Sequence, residues 1–309
     1  MPTELPGTPG VSPVLQVPFL SDGGLDEAGF DTVVAQVLGT GVRSVMFPGF
    51  ASEYHKLYDD ERRRLLEILL AHTRGRDDVC AIVAVHDHGT VAAVRRAREA
   101  VEAGADALNL LPPHFLSPSR EAVTAHLAAV LDAVAPLPVV LQYAPAQTGT
   151  ALDAATIAAL ASAHPNLRMV KVESQPPHRL VEALARGNPS LPAVIGYAGV
   201  QLPAALEAGA VGVQPGCTFT EIYQEIWDLH HGGRPQEARA LHARLLPYIS
   251  TWMQHVELIV AAEKLISFRR GWQSSDHCRA PGWVLDHTER ALVDRFLDEF
   301  ADLLPGAVK

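Results

Sequence analysis

Short apolar runs alternate with helical stretches through most of this chain, and that alternation constrains the fold more than any other feature. Val14–Pro18, Val42–Phe47, Val79–Val85, Ala107–Leu111, Val139–Tyr143, Leu167–Glu173, Ala193–Ile195 and Val211–Gln214 read as eight strands. They recur about every 25–35 residues, each followed by a segment with helical periodicity. The helical segments between them are Leu25–Gly39, Asp59–Arg74, Val91–Ala103, Arg120–Val134, Ala154–Ala163, His178–Arg186 and roughly Gln201–Ala208. Strands that alternate with helices pair in parallel through right-handed crossovers. Eight such units close into a barrel more readily than into an open sheet. No Gly-x-Gly-x-x-Gly follows the first strand, which weighs against a doubly wound dinucleotide-binding fold. The expectation is therefore an α/β protein, a (β/α)8 TIM barrel over residues 13–230. A loose Pro/Gly/Thr-rich N-terminus precedes it at 1–12, and a C-terminal helical appendage follows at 231–309. That last region reads as helix from Glu221 to Leu304, with breaks near Gly232-Gly233, Gly271 and Pro281-Gly282.

Bulk properties narrow the class. With 309 residues, 48% hydrophobic and 19% charged, the chain buries a large core and is not disordered. A net charge of −10 without a basic run argues against nucleic acid as a partner. It leaves room for a small anionic substrate. Cys80, Cys217 and Cys278 form no CxxC pair and no disulfide framework, so a reducing, cytoplasmic setting is the simplest expectation. Residues 1–12 lack the apolar core of a signal peptide or anchor, and no run approaches the roughly 20 apolar residues that span a bilayer.

Within that frame, Leu167–Ser174 (Leu-Arg-Met-Val-Lys-Val-Glu-Ser) stands out. It delivers Lys171 to the C-terminal end of a buried strand, and Pro176 and Pro177 stop the strand just beyond. Barrel chemistry gathers at that end of the strands. Burial disfavours a charged amine, and a neutral amine attacks a ketone or aldehyde to give a Schiff base. Alternation along the strand puts Glu173 on the same face as Lys171, a nucleophile beside a proton carrier. The competing reading is a lysine that snorkels to water and pairs with Glu173.

The other strand ends collect Phe50-Ala51-Ser52-Glu53, His86-Asp87-His88, His114, Gln142-Tyr143, Tyr197 and Cys217-Thr218. At this point the chain resembles the superfamily of dihydrodipicolinate synthase and N-acetylneuraminate lyase, Schiff-base-forming aldolases on a (β/α)8 barrel. Val17-Pro18-Phe19 with Asp22-Gly23 is similar to its opening Thr-Pro-Phe…Asp-Gly. Gly49-Phe50-Ala51-Ser52-Glu53 stands where that family has Gly-Thr-Thr-Gly-Glu, ahead of Leu57 and Asp60-Glu61-Arg62. Pro112-Pro113-His114-Phe115…Pro118-Ser119 is similar to Pro-Pro-Tyr-Tyr…Pro-Ser, and Pro145…Thr148-Gly149 to Pro…Thr-Gly. Val170-Lys171 then falls on the family's Schiff-base lysine.

The resemblance implies a lyase, an aldolase or dehydratase acting on a 2-oxo acid such as pyruvate, with no cofactor and no metal. It implies a homo-oligomer, tetramer or dimer, with Lys171 as the Schiff-base nucleophile and Tyr143 in catalysis if the alignment carries a gap; Glu173 joins the catalytic set on strand parity. Ala51, Ser52, Gln142, His114 and Tyr197 would contact substrate, Ser52 through its hydroxyl or its loop's N–H groups. The departures from the pattern are specific. Phe50-Ala51 replace the threonine that relays protons, and His114-Phe115 replace the tyrosine pair. Without a gap, Gln142 rather than Tyr143 stands on the catalytic tyrosine, and a one-residue deletion would restore Tyr143. Gln147 replaces the arginine that holds a second carboxylate, so dihydrodipicolinate synthase activity itself is not expected. Proton work then falls to Glu173, with Gln142 orienting substrate.

Two other classes compete. His86, His88 and His114 with Glu173 would form a nitrogen–oxygen set for a divalent ion, as in a metal-dependent aldolase or hydrolase, the His-x-His rings sharing one face. Alternatively the barrel binds a keto acid without turning it over. Cys217 is expected to pack as a small hydrophobe. Ala240–Ile249 and Leu258–Phe268 carry packing faces, and Lys264, Arg269 and Arg270 are expected as surface or interface charges.

Overall fold

A computed structural model describes residues 5, 10–150 and 152–305. Among them eight strands form one sheet: β1 (Gly10–Val11), β2 (Ser44–Phe47), β3 (Cys80–Val85), β4 (Ala107–Leu110), β5 (Val139–Tyr143), β6 (Leu167–Val172), β7 (Ala193–Ile195) and β8 (Gly212–Val213). Their order is β1-β8-β7-β6-β5-β4-β3-β2, and each pairing from β3 to β8 is parallel. Sequential parallel order with a helix after each strand is the plan of a (β/α)8 barrel, as the alternation requires. Every residue of β2, β3, β4 and β5 is buried, which is why these strands read as continuous apolar runs and not as alternating ones.

The first strand differs from expectation. The ladder is formed at Gly10–Val11 and interrupted around Pro13, which has no N–H to give it. It resumes as bridges of Val14 to Met46 and to Gly216, with Val14 N–H donating to the Pro215 carbonyl at 2.8 Å. Most of the N-terminus expected to be loose lies outside the described residues, while Leu5 is buried.

Contacts group the chain into two compact units, one of Met1–Gly10 with Arg74–Gln214 and one of Val11–Thr73 with Pro215–Lys309. In the first, β3–β8 pair in sequence. The register sets Gln142 opposite Lys171, Lys171 opposite Val194, and Asn109 opposite Val140. Helices Thr90–Ala103, Arg120–Val134, Ala154–Ala163 and Pro177–Gly187 carry the crossovers. Ser119 and Asp153 cap two of them by accepting from Ala122 N–H and Thr156 N–H.

The second unit carries the C-terminal helices Thr220–His231, Pro235–Trp252, Val256–Arg269 and His287–Glu299. The break between Trp252 and Val256 has no Gly or Pro to mark it; His255 makes it by capping Glu257 N–H through its ring at 3.1 Å. Two charges expected at the surface are inside this unit. Lys264 is wholly buried, ion-paired to Glu53, donating to the His277 carbonyl at 3.0 Å and lying 4.1 Å above the Phe19 ring. Arg270 is buried against Glu221 at 2.6 Å. A charge that meets a buried carboxylate stays inside, and helical periodicity alone does not reveal the partner.

Candidate active site

The C-terminal halves of β4 and β5 and the end of β6 bring four polar side chains together inside the first unit. Lys171 is the last residue but one of β6, 3% exposed between Val170 and Val172. Its Nζ lies 3.4 Å from Glu173 Oε1. Glu173 continues β6 by donating its backbone N–H to the Tyr143 carbonyl at 2.8 Å, and this keeps it in register with Lys171 on one face. Gln142, directly opposite Lys171 on β5, donates its side-chain amide to Glu173 Oε2 at 2.7 Å. Asn109 on β4 donates in turn to the Gln142 side-chain carbonyl at 2.8 Å. All four side chains are buried.

Beyond β7 the backbone completes the cradle. Tyr197 and Ala198 take left-handed conformations, φ 54° and 48°, and Gly199 follows at 63°. That turn aims Tyr197 N–H at Glu173 Oε1, 3.3 Å away. Tyr197 was expected to contact substrate and reaches this group through its backbone. Gly196 is needed for packing: a Cβ there would sit 2.2 Å from Glu173 Oε1. A base with one oxygen fixed by an amide and the other beside an amine is equipped to move a proton at that amine.

Gln142, expected to orient substrate, has both ends of its amide engaged by Asn109 and Glu173. Tyr143 takes the opposite face of β5, since parity sets it against Gln142. Its hydroxyl lies beside the Leu152 backbone; burial pushes its pKa up, with nearby Asp153 adding to the rise. In the second unit Ala51 and Ser52 form a 3-10 turn, Phe50–Ser52. The Ser52 hydroxyl is buried, accepts from Gly49 N–H at 2.8 Å and donates to the Leu15 carbonyl, so it braces its own loop.

The histidines do not assemble as a donor set. β3 ends at Val85, so the strand parity that would align His86 with His88 is lost: His86 is buried and His88 exposed. His88 accepts at Nδ1 from His114 N–H and Phe115 N–H, both at 3.3 Å, and its ring meets that of His114 edge-on at 4.4 Å. Desolvation, then the neighbouring His114, holds its pKa below the usual imidazole value. Among the described residues no three His, Cys, Asp or Glu side chains converge as a metal site.

Sequence reasoning does not single out Asn109 or Gly196. Asn109 was legible as a lone amide in the apolar run Ala-Leu-Asn-Leu, while Gly196 became meaningful only with Glu173 packed against it. In the second unit, Glu263 is a further buried carboxylate. It accepts from Cys217 N–H at 3.1 Å, and burial raises its pKa to about 7. Cys217 is fully buried there.

Comparison with known proteins bears on the family and the fold. The model of the dihydrodipicolinate synthetase family matches residues 8–299. A 4-hydroxy-tetrahydrodipicolinate synthase of Xanthomonas campestris pv. campestris is 31% identical over 243 residues, 78% of this chain and 79% of the relative. The 4-hydroxy-tetrahydrodipicolinate synthase 2 of Streptomyces coelicolor is 30% identical over 302 residues, covering 95% and 97%. The crystal structure of YagE, a prophage protein of the dihydrodipicolinic acid synthase family from E. coli K12 in complex with pyruvate, shares the fold. Its TM-score is 0.85 at 23% identity, covering 95% of this chain and 98% of that one.

Proposed function

The chain belongs to the dihydrodipicolinate synthetase family, and from that premise we propose that it is a lyase working through a Schiff base between Lys171 and a 2-oxo acid. In this reading the Lys171 amine adds to the keto carbon, water leaves, and an iminium forms. Glu173 takes a proton from the adjacent carbon to give the enamine, and returns one after a carbon–carbon or carbon–oxygen bond is made or broken. The observation that carries the proposal is the buried Lys171 Nζ facing Glu173 Oε1 at 3.4 Å, on a strand end where the carboxylate is already held.

The electrophile is proposed to differ from that of the named relatives. Gln142 stands at the relay tyrosine's place, Phe50-Ala51 carry no hydroxyl, and Gln147 stands where the carboxylate-binding arginine would be. A substrate without a second carboxylate suits such a site. The same premise supports a cytoplasmic homo-oligomer, dimer or tetramer. No helix among the described residues is long and apolar enough to cross a membrane. On the loop after β4, Phe115 and Leu116 are 69% and 85% exposed, apolar surface that suits a contact between copies.

Pyruvate with borohydride tests the chemistry. One reduced keto-acid adduct per chain should map to Lys171, and Lys171→Ala should take up none. No adduct with pyruvate or a panel of 2-oxo acids and aldehydes would end the Schiff-base reading.

A further inference from the structure

Asn109 is fully buried in the site and makes no hydrogen bond to Lys171 or Glu173 among the described residues. It is wholly buried in the middle of β4, and its carbonyl oxygen has no hydrogen-bond partner among the described residues. A buried amide left half-satisfied is unfavourable, and an aliphatic side chain would fill a strand position of this kind without that penalty. Its one side-chain hydrogen bond among the described residues, to Gln142, is therefore where a role has to be sought.

The polarity of the chain runs one way. An ionised carboxylate only accepts, so Gln142 must turn its NH2 toward Glu173 Oε2. Its carbonyl then faces β4, and only a donor at position 109 matches it. If Gln142 flipped, its NH2 would face the NH2 of Asn109 and its carbonyl would face the carboxylate. Asn109 thus locks the amide that holds Oε2. The other oxygen, Oε1, is left 3.4 Å from Lys171 Nζ with the Tyr197 N–H as its hydrogen bond.

We propose that Asn109 is a positioning residue that acts through Gln142 to fix the Glu173 carboxylate in its accepting, proton-exchanging orientation, with Oε1 as the working oxygen. The inference rests on the Schiff-base reading of Lys171 and adds how its proton carrier is controlled.

Two variants and two readouts separate the possibilities. Borohydride trapping of pyruvate reports the iminium, and loss of the pyruvate methyl signal in D2O, followed by NMR across pH, reports proton transfer at the adjacent carbon. Asn109→Leu removes the lock and the orphan carbonyl together. It should keep thermal stability and trapping, and slow exchange about 10-fold or more. Asn109→Asp keeps the shape but removes a donor, so the chain of side chains is satisfied only when it carries one more proton. Its exchange should fall at neutral pH, and the acid limb of its pH profile should move to higher pH, a change that loss of packing would not produce. Wild-type exchange rates in both variants, or an unmoved pH profile in Asn109→Asp with trapping intact, would overturn the inference alone. A wild-type protein that neither traps nor exchanges would overturn the Schiff-base reading, and this inference with it.

Discussion

At the scale of single residues, Glu173 is defined by what surrounds it as much as by its own chemistry. Gly196 is the clearest case. A methyl group at that position would lie 2.2 Å from Oε1, 2.5 Å from the Cγ methylene and 2.6 Å from the carboxylate carbon of Glu173. The backbone there is fixed by Gly196 N–H donating to the Val172 carbonyl at 3.1 Å, so the side chain of Glu173 has to yield. Gly196→Ala should therefore push the carboxylate off Lys171 and Tyr197 N–H, with adduct formation retained and proton exchange at pyruvate lost by roughly 10²-fold or more, toward the full worth of a general base. Unchanged exchange in that variant would show that the orientation seen here is not the one used. Lys171 and Glu173 were readable because strand parity and a proline stop are local properties. By the same parity Gln142 lies on the face where it meets Glu173. Its partner was not visible, because a hydrogen bond between neighbouring strands depends on register, and register is not written in either strand alone.

Among elements, the strands were legible to within a few residues, because parallel strands buried on both faces carry an uninterrupted apolar signal. The exception, at Gly10–Val11 and Val14, came from a proline that divides one ladder into two short pieces. The C-terminal helices are legible as a group, but the charged positions of helix Val256–Arg269 are not: Lys264 reads as surface and is buried. Ten consecutive residues, Leu258–Ser267, are buried, including Glu263 and Lys264 side by side. A helix enclosed on every face has no polar side to reveal its orientation, so a lysine in it reads as surface. The loop Gly49–Glu53 is the converse. Its family-like spacing was legible, whereas the inward turn of the Ser52 hydroxyl to the Leu15 carbonyl depends on a segment distant in sequence.

For the whole molecule, the same buried helix ties stability to pH. Glu263 is held near pKa 7 by burial, against an ordinary 4.5. Between those values the native state keeps a proton that the unfolded chain has released, so stability falls as pH rises from about 4.5 to about 7. Glu263→Gln, which keeps an acceptor for Cys217 N–H and cannot ionise, should gain on the wild type across that window by about 3 kcal/mol at most. Urea unfolding at pH 5 and pH 8 checks this, and a pH-independent difference between the two proteins would contradict it. The account's central claim, that Lys171 forms the iminium and Glu173 moves its proton, is tested most directly on Glu173→Gln, by borohydride trapping and pyruvate methyl exchange on the same sample. The account predicts full trapping at Lys171 with exchange slowed roughly 10²- to 10⁴-fold. Exchange at the wild-type rate in Glu173→Gln, together with its loss in Tyr143→Phe, would contradict it and assign the proton to Tyr143.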